Sequence, residues 1–200
     1  MRWALAAATT LTALNLARWQ MKRHFTPKPK YEVLARLGRL EVRRYEAMVL
    51  AETEVEGGFD EALDEGFSRL AAFIYGDNSR ANQPYESERL SMTAPVTAGE
   101  SQAGLRTVSF VMPPGKQLSE LPQPYDPRIQ VREQPGRVIA ALVFRGRYCG
   151  DRVQRAEREL MQLVSAKGLK ARSAPVFAGY DAPSILPALR RNEVWVELDA

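Results

Sequence analysis

Residues 31–45, YEVLARLGRLEVRRY, alternate between apolar and polar side chains on both sides of a central Gly38-Arg39 pair. Period-two alternation is typical of β-strands, and a glycine between two such runs favours a tight reversal of the chain. This stretch therefore predicts an antiparallel hairpin of two strands, at residues 31–37 and 40–45.

The chain downstream of the hairpin changes from strand periodicity to helix periodicity. Residues 48–55 continue the β pattern, and two glycines then stop it. Carboxylates follow at the start of the next segment, where they favour the positive end of a helix dipole, and Gly76 is suited to end it. A helix of about four turns is predicted between these points, because apolar side chains recur every three or four residues, at Phe59, Leu63, Phe67, Leu70 and Ile74.

The second half of the chain repeats this order. Residues 137–144 form a continuous apolar run typical of a central strand buried on both faces. A second helical stripe ends at Gly168 and consists of Val153, Ala156, Leu160, Leu163 and Val164. Each helix precedes two strand-like segments, at residues 90–96 and 105–112 in the first half and 174–180 and 193–198 in the second. We therefore predict an α+β domain built from a duplicated strand–helix–strand–strand unit, with both helices against one mostly antiparallel sheet.

The first thirty residues differ from the rest in charge. They contain six Lys or Arg residues and no Asp or Glu, whereas the remaining 170 residues carry 22 basic against 24 acidic side chains. The body of the protein thus has a net charge of −2 and lacks the basic excess of duplex-binding domains. We expect no nucleic-acid partner.

Residues 3–17 are apolar but fall short of the roughly 20 residues that span a bilayer. Two interpretations stay open: an export signal that directs the protein to a periplasm, or an uncleaved helix at an anionic membrane surface. A cytoplasmic extension is the alternative to both. Pro27 and Pro29 predict a linker, so we divide the chain into an N-terminal segment, residues 1–30, and a domain, residues 31–200.

One histidine and one cysteine leave few routes to catalysis or to a metal site. His24 lies outside the predicted domain and Cys149 is alone, which excludes an internal disulfide and argues against a Cys/His zinc site or a nucleophile–histidine set. Cys149 precedes the second helix, where amide dipoles can lower the pKa of a thiol, but an ordinary loop residue is the favoured interpretation. We therefore expect a protein that is not an enzyme, with Cys149 chemistry as the distant alternative.

Two arginine pairs, Arg43-Arg44 and Arg190-Arg191, are in or next to predicted strands. Because successive side chains of a strand point to opposite faces, one arginine of each pair can line a cleft while its neighbour faces water. Ordinary surface charge is the alternative interpretation.

Five short segments follow one another along the domain: EVRRY at 41–45, MTAPV at 92–96, FVMP with LPQP at 110–113 and 121–124, YDAP at 180–183 and RRNEV at 190–194. Together they resemble the SOUL/haem-binding protein family, over residues 31–198. The resemblance implies an α+β domain with a curved sheet, or distorted barrel, and two helices, similar to the gyrase-inhibitor-like small-molecule-binding domains. It also implies binding of haem or another tetrapyrrole without turnover.

The resemblance further implies where the ligand lies. In the family, the proposed pocket is an apolar groove beside the first helix, partly covered by the loop before the final strand. The corresponding groove residues here are Phe67, Leu70, Phe73, Ile74, Ile185 and Leu186. A porphyrin is a flat apolar plate with two carboxylates, so we expect one or more cations at its rim, drawn from Arg43, Arg44, Arg190 and Arg191.

One position departs from the family pattern. Some members have a histidine, a candidate iron ligand, immediately before the tyrosine of the opening segment, where this sequence has Arg44. Arginine stays protonated and cannot ligate iron, which leaves Tyr, Met or Cys149. We expect haem to be held through apolar contact and propionate pairing, or through unusual axial ligation. A monomeric haem carrier or buffer is the leading hypothesis, and an effector-sensing or protein-interaction module for another small amphipathic ligand is the alternative.

Overall fold

The computed structural model describes residues 26–83, 85–101 and 104–199. Within these residues the helices are α1 (Phe59–Ile74) and α2 (Gly150–Ala166). The strands are β1 (Tyr31–Leu37), β2 (Leu40–Tyr45), β3 (Met48–Val55), β4 (Asn78–Ser79), β5 (Val96–Glu100), β6 (Arg106–Val111), β7 (Gln123–Pro124), β8 (Ile129–Gln134), β9 (Arg137–Arg145), β10 (Val176–Gly179) and β11 (Arg191–Glu197). All strands except the short pair β4 and β7 form one curled, antiparallel sheet, which confirms the predicted α+β class.

The strand order shows that the domain consists of two similar halves. Across the sheet the order is β1-β2-β9-β11-β10-β5-β6-β3-β8. One half is β9–α2–β10–β11 and the other is β3–α1–β5–β6, and the halves meet where β10 pairs with β5. Each half also pairs with the strand that precedes the other half, β2 beside β9 and β8 beside β3. The predicted duplication is therefore confirmed. Strands β2 and β8, which each pair with the half that they do not directly precede, connect the two halves further.

Helix α1 begins and ends where its sequence indicates. The Glu61 carboxylate accepts a hydrogen bond from the Gly58 amide at 3.2 Å and so satisfies a donor that a helix start leaves free. After Ile74 the chain reverses at Gly76, whose φ of 123° suits glycine alone. The apolar stripe between these ends packs on β3 and β6, and its Phe67 is 38% exposed.

Helix α1 lies very close to the sheet at Gly66. A Cβ atom at this position would lie 2.6 Å from Cγ2 of Val108, well inside normal contact distance. Val108 is fully buried on β6. Glycine is unfavourable within helices, so its presence here is explained by the short distance between helix and sheet.

The two faces of the sheet have different roles. The face covered by α1 and α2, called the helix face, carries the main apolar core. The opposite face, called the second face, carries a smaller cluster made of Tyr45, Ile139, Ala141, Ala178 and Trp195. Arginine and glutamate side chains are also buried on the second face, as described below.

Two segments differ from the sequence-based prediction. The prediction of a strand over residues 90–96 is wrong except at its last residue, because β5 begins at Val96. Pro95 has no amide hydrogen for a sheet ladder, and the Thr93 hydroxyl instead donates to the Val111 carbonyl. Strand β8 was not predicted, since its residues are mostly polar and exposed and it forms an edge of the sheet.

Among the described residues, no helix is long and apolar enough to cross a membrane. The apolar segment at residues 3–17, predicted to be an export signal or a membrane-associated helix, lies outside the described residues.

Candidate functional site

An open cavity of about 310 Å³ lies on the helix face, where the two halves of the domain meet; we call it the central cavity. Val96 of β5 and Gly179 of β10 pair in the sheet and both line it. A Cβ atom on Gly179 would lie 3.1 Å from the ring of Phe177, which also lines the cavity, so the glycine keeps this side open. The volume is at the lower end of the range of about 300–1,000 Å³ found for small-molecule sites.

Aromatic side chains form much of the wall. Phe67 comes from α1 and packs against Phe110 with ring centroids 5.3 Å apart. Tyr148 comes from the loop before α2 and packs against Phe177 at 5.2 Å. Leu63 of α1 completes this apolar part of the wall. Flat apolar surfaces of this kind suit a planar apolar ligand.

Two loops close the other sides. One contributes Met92, Thr93 and Ala94, and the other contributes residues 180–183. Thr26, the first described residue, also lines the cavity. Both loops belong to segments on which the family resemblance rests, MTAPV and YDAP, so the resemblance and the cavity coincide.

The charge of the cavity wall is acidic. Asp64 of α1 is exposed at the cavity, and Asp181 is buried and accepts a hydrogen bond from the Arg191 amide at 2.7 Å. None of the described lining residues is Lys or Arg. The predicted basic rim is therefore not part of the wall in this conformation.

The predicted groove residues divide into two groups. Phe67 lines the central cavity, as expected from the first helix. Leu70, Phe73 and Ile74 are at most 1% exposed and belong to the core between α1 and the sheet. Leu63 and Phe67 of this stripe line the cavity, so only the part of the stripe nearer the start of α1 is available to a ligand.

The loop before β11 is held in place by Arg190. Its Nε donates to the Ile185 carbonyl at 2.7 Å, and a second guanidinium nitrogen donates to the Pro183 carbonyl. The guanidinium also lies 5.9 Å from the ring centroid of Tyr148. Arg190 thus positions one wall of the cavity, whereas Ile185 and the exposed Leu186 lie on the loop outside the lining. Their contact with a ligand stays a prediction.

Within β2 the pleat places Arg43 and Arg44 on opposite faces, whereas Arg190 precedes β11 and Arg191 begins it. Arg43 is wholly buried on the second face, whereas Arg44 is exposed and pairs with Glu32 at 3.0 Å. Arg191 lies on the second face as well, and its Nε donates to Glu193 at 3.0 Å. None of these arginines lines the cavity, and their pairing with propionates stays a prediction.

Glu193 is the centre of a buried polar network on the second face. Two nitrogens of Arg43 donate to its carboxylate at 2.7 and 3.1 Å, Trp195 Nε1 donates at 2.6 Å and the Tyr180 hydroxyl at 3.1 Å. Burial by itself would raise the pKa of the Glu193 carboxyl, but the hydrogen bonds and charge of Arg43, together with Trp195 and Arg191, outweigh it and lower the pKa. Glu193 is therefore ionised at neutral pH.

Tyr180 connects this network to the cavity. Tyr180 is a lining residue, its ring packs against Trp195 with centroids 6.4 Å apart, and its hydroxyl donates to Glu193. Burial and the Glu193 charge raise the pKa of Tyr180, and burial also raises the pKa of Tyr148 despite the charge of Arg190. Both phenols are protonated at neutral pH. Met92 is a further lining residue, and its thioether is a group that can ligate haem iron.

Sequence reasoning missed Thr26, Asp64, Tyr148 and Phe177 as lining residues. The YDAP segment gave a signal for Tyr180, and the MTAPV segment gave one for Met92. Tyr148 and Phe177 had no signal of their own, because only the pairing of β5 with β10 brings the two halves together. Cys149 is half-buried at the start of α2 and does not line the cavity.

Comparison with known proteins gives the same assignment. The family model described as SOUL heme-binding protein matches residues 26–197. Heme-binding protein 2 of Mus musculus is 27% identical over 192 residues, covering 92% of this chain and 86% of that protein. Heme-binding protein 1 of Xenopus laevis is 29% identical over 170 residues, covering 78% and 81%.

Among solved structures, the C-terminal domain of EcmrR has the same fold. The two chains superimpose with a TM-score of 0.59 at 13% sequence identity, over 84% of this chain and 98% of that domain. The likeness is one of fold alone. The match of the family model over nearly the whole described domain is decisive, and the chain belongs to the SOUL haem-binding protein family.

Proposed function

We propose that this protein binds haem or a related tetrapyrrole in the central cavity and carries or buffers it without catalysing a reaction. The observation that supports the proposal most strongly is the position of the cavity, which is lined by both the MTAPV and YDAP segments of a haem-binding family. The aromatic residues Phe67, Tyr148 and Phe177 of the wall provide apolar surface for the macrocycle.

The chemistry of the wall suits the apolar ring of haem better than its acidic groups. The wall provides apolar surface and one thioether, but its two charged groups, Asp64 and Asp181, have the same sign as the propionates. The propionates are therefore expected to point out of the cavity, and binding to depend mainly on apolar contact. We expect modest affinity and little dependence on iron.

Titration of the full chain with hemin and with protoporphyrin IX tests the proposal. Binding is expected to shift the Soret band of hemin and to raise protoporphyrin fluorescence, with similar affinity for the two compounds. A Phe67→Glu variant places a charge on the cavity wall and should abolish binding. Leu118→Glu is the matched control. Leu118 lies outside the cavity and is exposed to a similar extent, 39% against 38% for Phe67. Absence of spectral change with the wild type would refute the proposal.

The Met92→Leu variant tests the iron ligand separately. Leucine has a side-chain volume similar to that of methionine but no sulfur atom. If the thioether ligates iron, the variant should alter the hemin spectrum and leave protoporphyrin binding unchanged. Identical hemin spectra for both proteins would show that iron has no ligand from Met92.

The acidic cavity wall supports a second candidate function. A wall with two carboxylates and no lining Lys or Arg among the described residues favours a neutral or cationic amphipathic ligand, as an effector-sensing or protein-interaction module would bind. Mass spectrometry of small molecules that copurify with the protein separates the candidates, since a tetrapyrrole and another amphiphile differ in mass and absorbance.

We further propose that the protein is a monomer and that residues 1–30 export it or hold it at a membrane surface, with a cytoplasmic location as the alternative. The basic and apolar character of the segment supports the proposal. Cell fractionation, combined with the intact mass of the recovered protein, tests the proposed location. A cleaved export signal would shorten the chain, and an uncleaved membrane helix would place the full-length chain with the membranes. A cytoplasmic protein would be full-length and absent from the membrane fraction.

A further inference from the structure

Residues 26–30, called the strap, run along the domain and form part of the central cavity. Thr26 lines the cavity, and the Pro27 carbonyl accepts a hydrogen bond from the Ala94 amide at 2.9 Å. The Lys28 ammonium lies 5.9 Å from the ring centroid of Tyr180. Ala94 and Tyr180 both line the cavity, so the strap is joined to two of its walls.

The strap also provides a cation where the wall has none. Arg190 and Arg191 lie near the same walls, but their guanidinium groups are bound to loop carbonyls and to Glu193. Lys28, in contrast, is exposed and forms no ion pair with any residue that the structure describes. A lysine side chain is long and flexible, and its ammonium can move from an aromatic face to a stronger anionic partner.

We propose that Lys28 is a ligand-binding residue of the central cavity and pairs with a carboxylate of the bound tetrapyrrole. The inference rests on the proposed function and adds the chemical class of the ligand, a tetrapyrrole with a free acidic side chain. The macrocycle occupies the apolar wall, and its propionates project past Tyr180 to the strap. Asp64, on α1, lies on a wall to which the strap is not joined, whereas Asp181, next to Tyr180, is buried and accepts a hydrogen bond from the Arg191 amide.

The proposal predicts a difference between acid and ester forms of one ligand. Protoporphyrin IX and its dimethyl ester have the same ring, and only the first carries negative charge. Both are delivered to the full chain from the same nonionic detergent, and binding is followed by porphyrin fluorescence. The wild type should bind the acid about two- to fivefold more tightly than the ester, the range of a partly exposed ion pair. Added salt should reduce this preference.

Variants of the cations around the cavity locate the effect. Lys28→Gln should remove the preference for the acid and leave ester affinity unchanged, while Lys28→Arg should retain it. Lys30→Gln is the matched control on the same strap. Arg147 is the competing candidate for the ion pair, because it is exposed and next to the lining residue Tyr148. Arg147→Gln should reduce the preference for the acid less than Lys28→Gln does.

Each other outcome overturns the inference in a distinguishable way. If Lys28→Gln lost affinity for the acid and for the ester equally, the strap would have a structural role only. If Arg147→Gln lost the preference for the acid and Lys28→Gln kept it, Arg147 and not Lys28 would form the ion pair. Failure of the wild type to bind either porphyrin would refute the proposed function itself, and the inference with it.

Discussion

Arg43 of β2 and Glu193 of β11 form an ion pair across the intervening strand β9, with Nη1 and Oε2 separated by 2.7 Å. Both side chains are wholly buried, so neither charge has water as an alternative partner. Arg43 also contacts Glu41 at 2.8 Å and lies 4.6 Å from the ring centroid of Tyr31. The pair thus joins β1, β2 and β11 on the second face, where a lone charge would be strongly unfavourable.

Replacing Arg43 by Met should destabilise the protein by about 3–5 kcal/mol, because Glu193 would be left buried without its main partner. Urea unfolding followed by circular dichroism measures this loss. Arg44→Met is the matched control: it changes the adjacent residue of the same strand, whose side chain is 58% exposed, and should cost less than about 1 kcal/mol. Equal stabilities of the two variants would contradict the role assigned to the buried pair.

Stability should fall in acid partly through Glu193. The pKa of this carboxyl is lowered in the folded protein relative to its ordinary value of 4.5, so the folded state binds its proton less readily than the unfolded state. The contribution of Glu193 is therefore complete above about pH 4.5 and is lost as the pH falls through the lower folded-state pKa. Unfolding free energies measured between pH 7 and pH 3 should decline less steeply in Glu193→Gln. Parallel curves for the two proteins would refute the assignment.

Gly66→Ala should destabilise the protein by about 1–3 kcal/mol, the usual effect of overpacking a core. The added methyl meets Val108 at 2.6 Å, which outweighs the helix propensity gained, about 1 kcal/mol. Thermal and urea unfolding measure the effect. Val108→Ala in the same chain should recover part of it by making space, whereas Gln162→Ala, at an exposed position of α2, should be nearly neutral. A stabilised Gly66→Ala variant would show that α1 can move away from β6.

Asp64→Asn should increase the affinity for protoporphyrin IX by about two- to fivefold, because it removes a negative charge from the cavity wall beside an anionic ligand. Fluorescence titration against the wild type measures the change. Glu133→Gln on edge strand β8 alters the net charge equally and should have no effect. Weaker binding by Asp64→Asn would instead indicate a cationic ligand and favour the second candidate function.

Local pattern alone predicted much of the architecture. The hairpin, both helices and the duplicated order of elements follow from periodicity, since burial of one face of a strand or helix is repeated along the sequence. The separation of Arg43 from Arg44 was predictable for the same reason. Strand β8 was missed because an exposed edge strand has little apolar alternation, and residues 90–95 were assigned wrongly because β-like composition does not ensure a sheet partner.

The sequence by itself determined the fold class and the family, and it predicted a ligand site beside α1. Only the tertiary structure decided which residues line that site. Phe67 projects into the cavity while Leu70 and Ile74, on the same helical stripe, are buried against the sheet. The cavity wall comes from segments more than a hundred residues apart, such as Thr26 and Tyr180, and their proximity depends on the pairing of β5 with β10. Sequence periodicity indicates which face of a helix or strand is buried. A cavity depends instead on the gaps left where separate helices, strands and loops pack together.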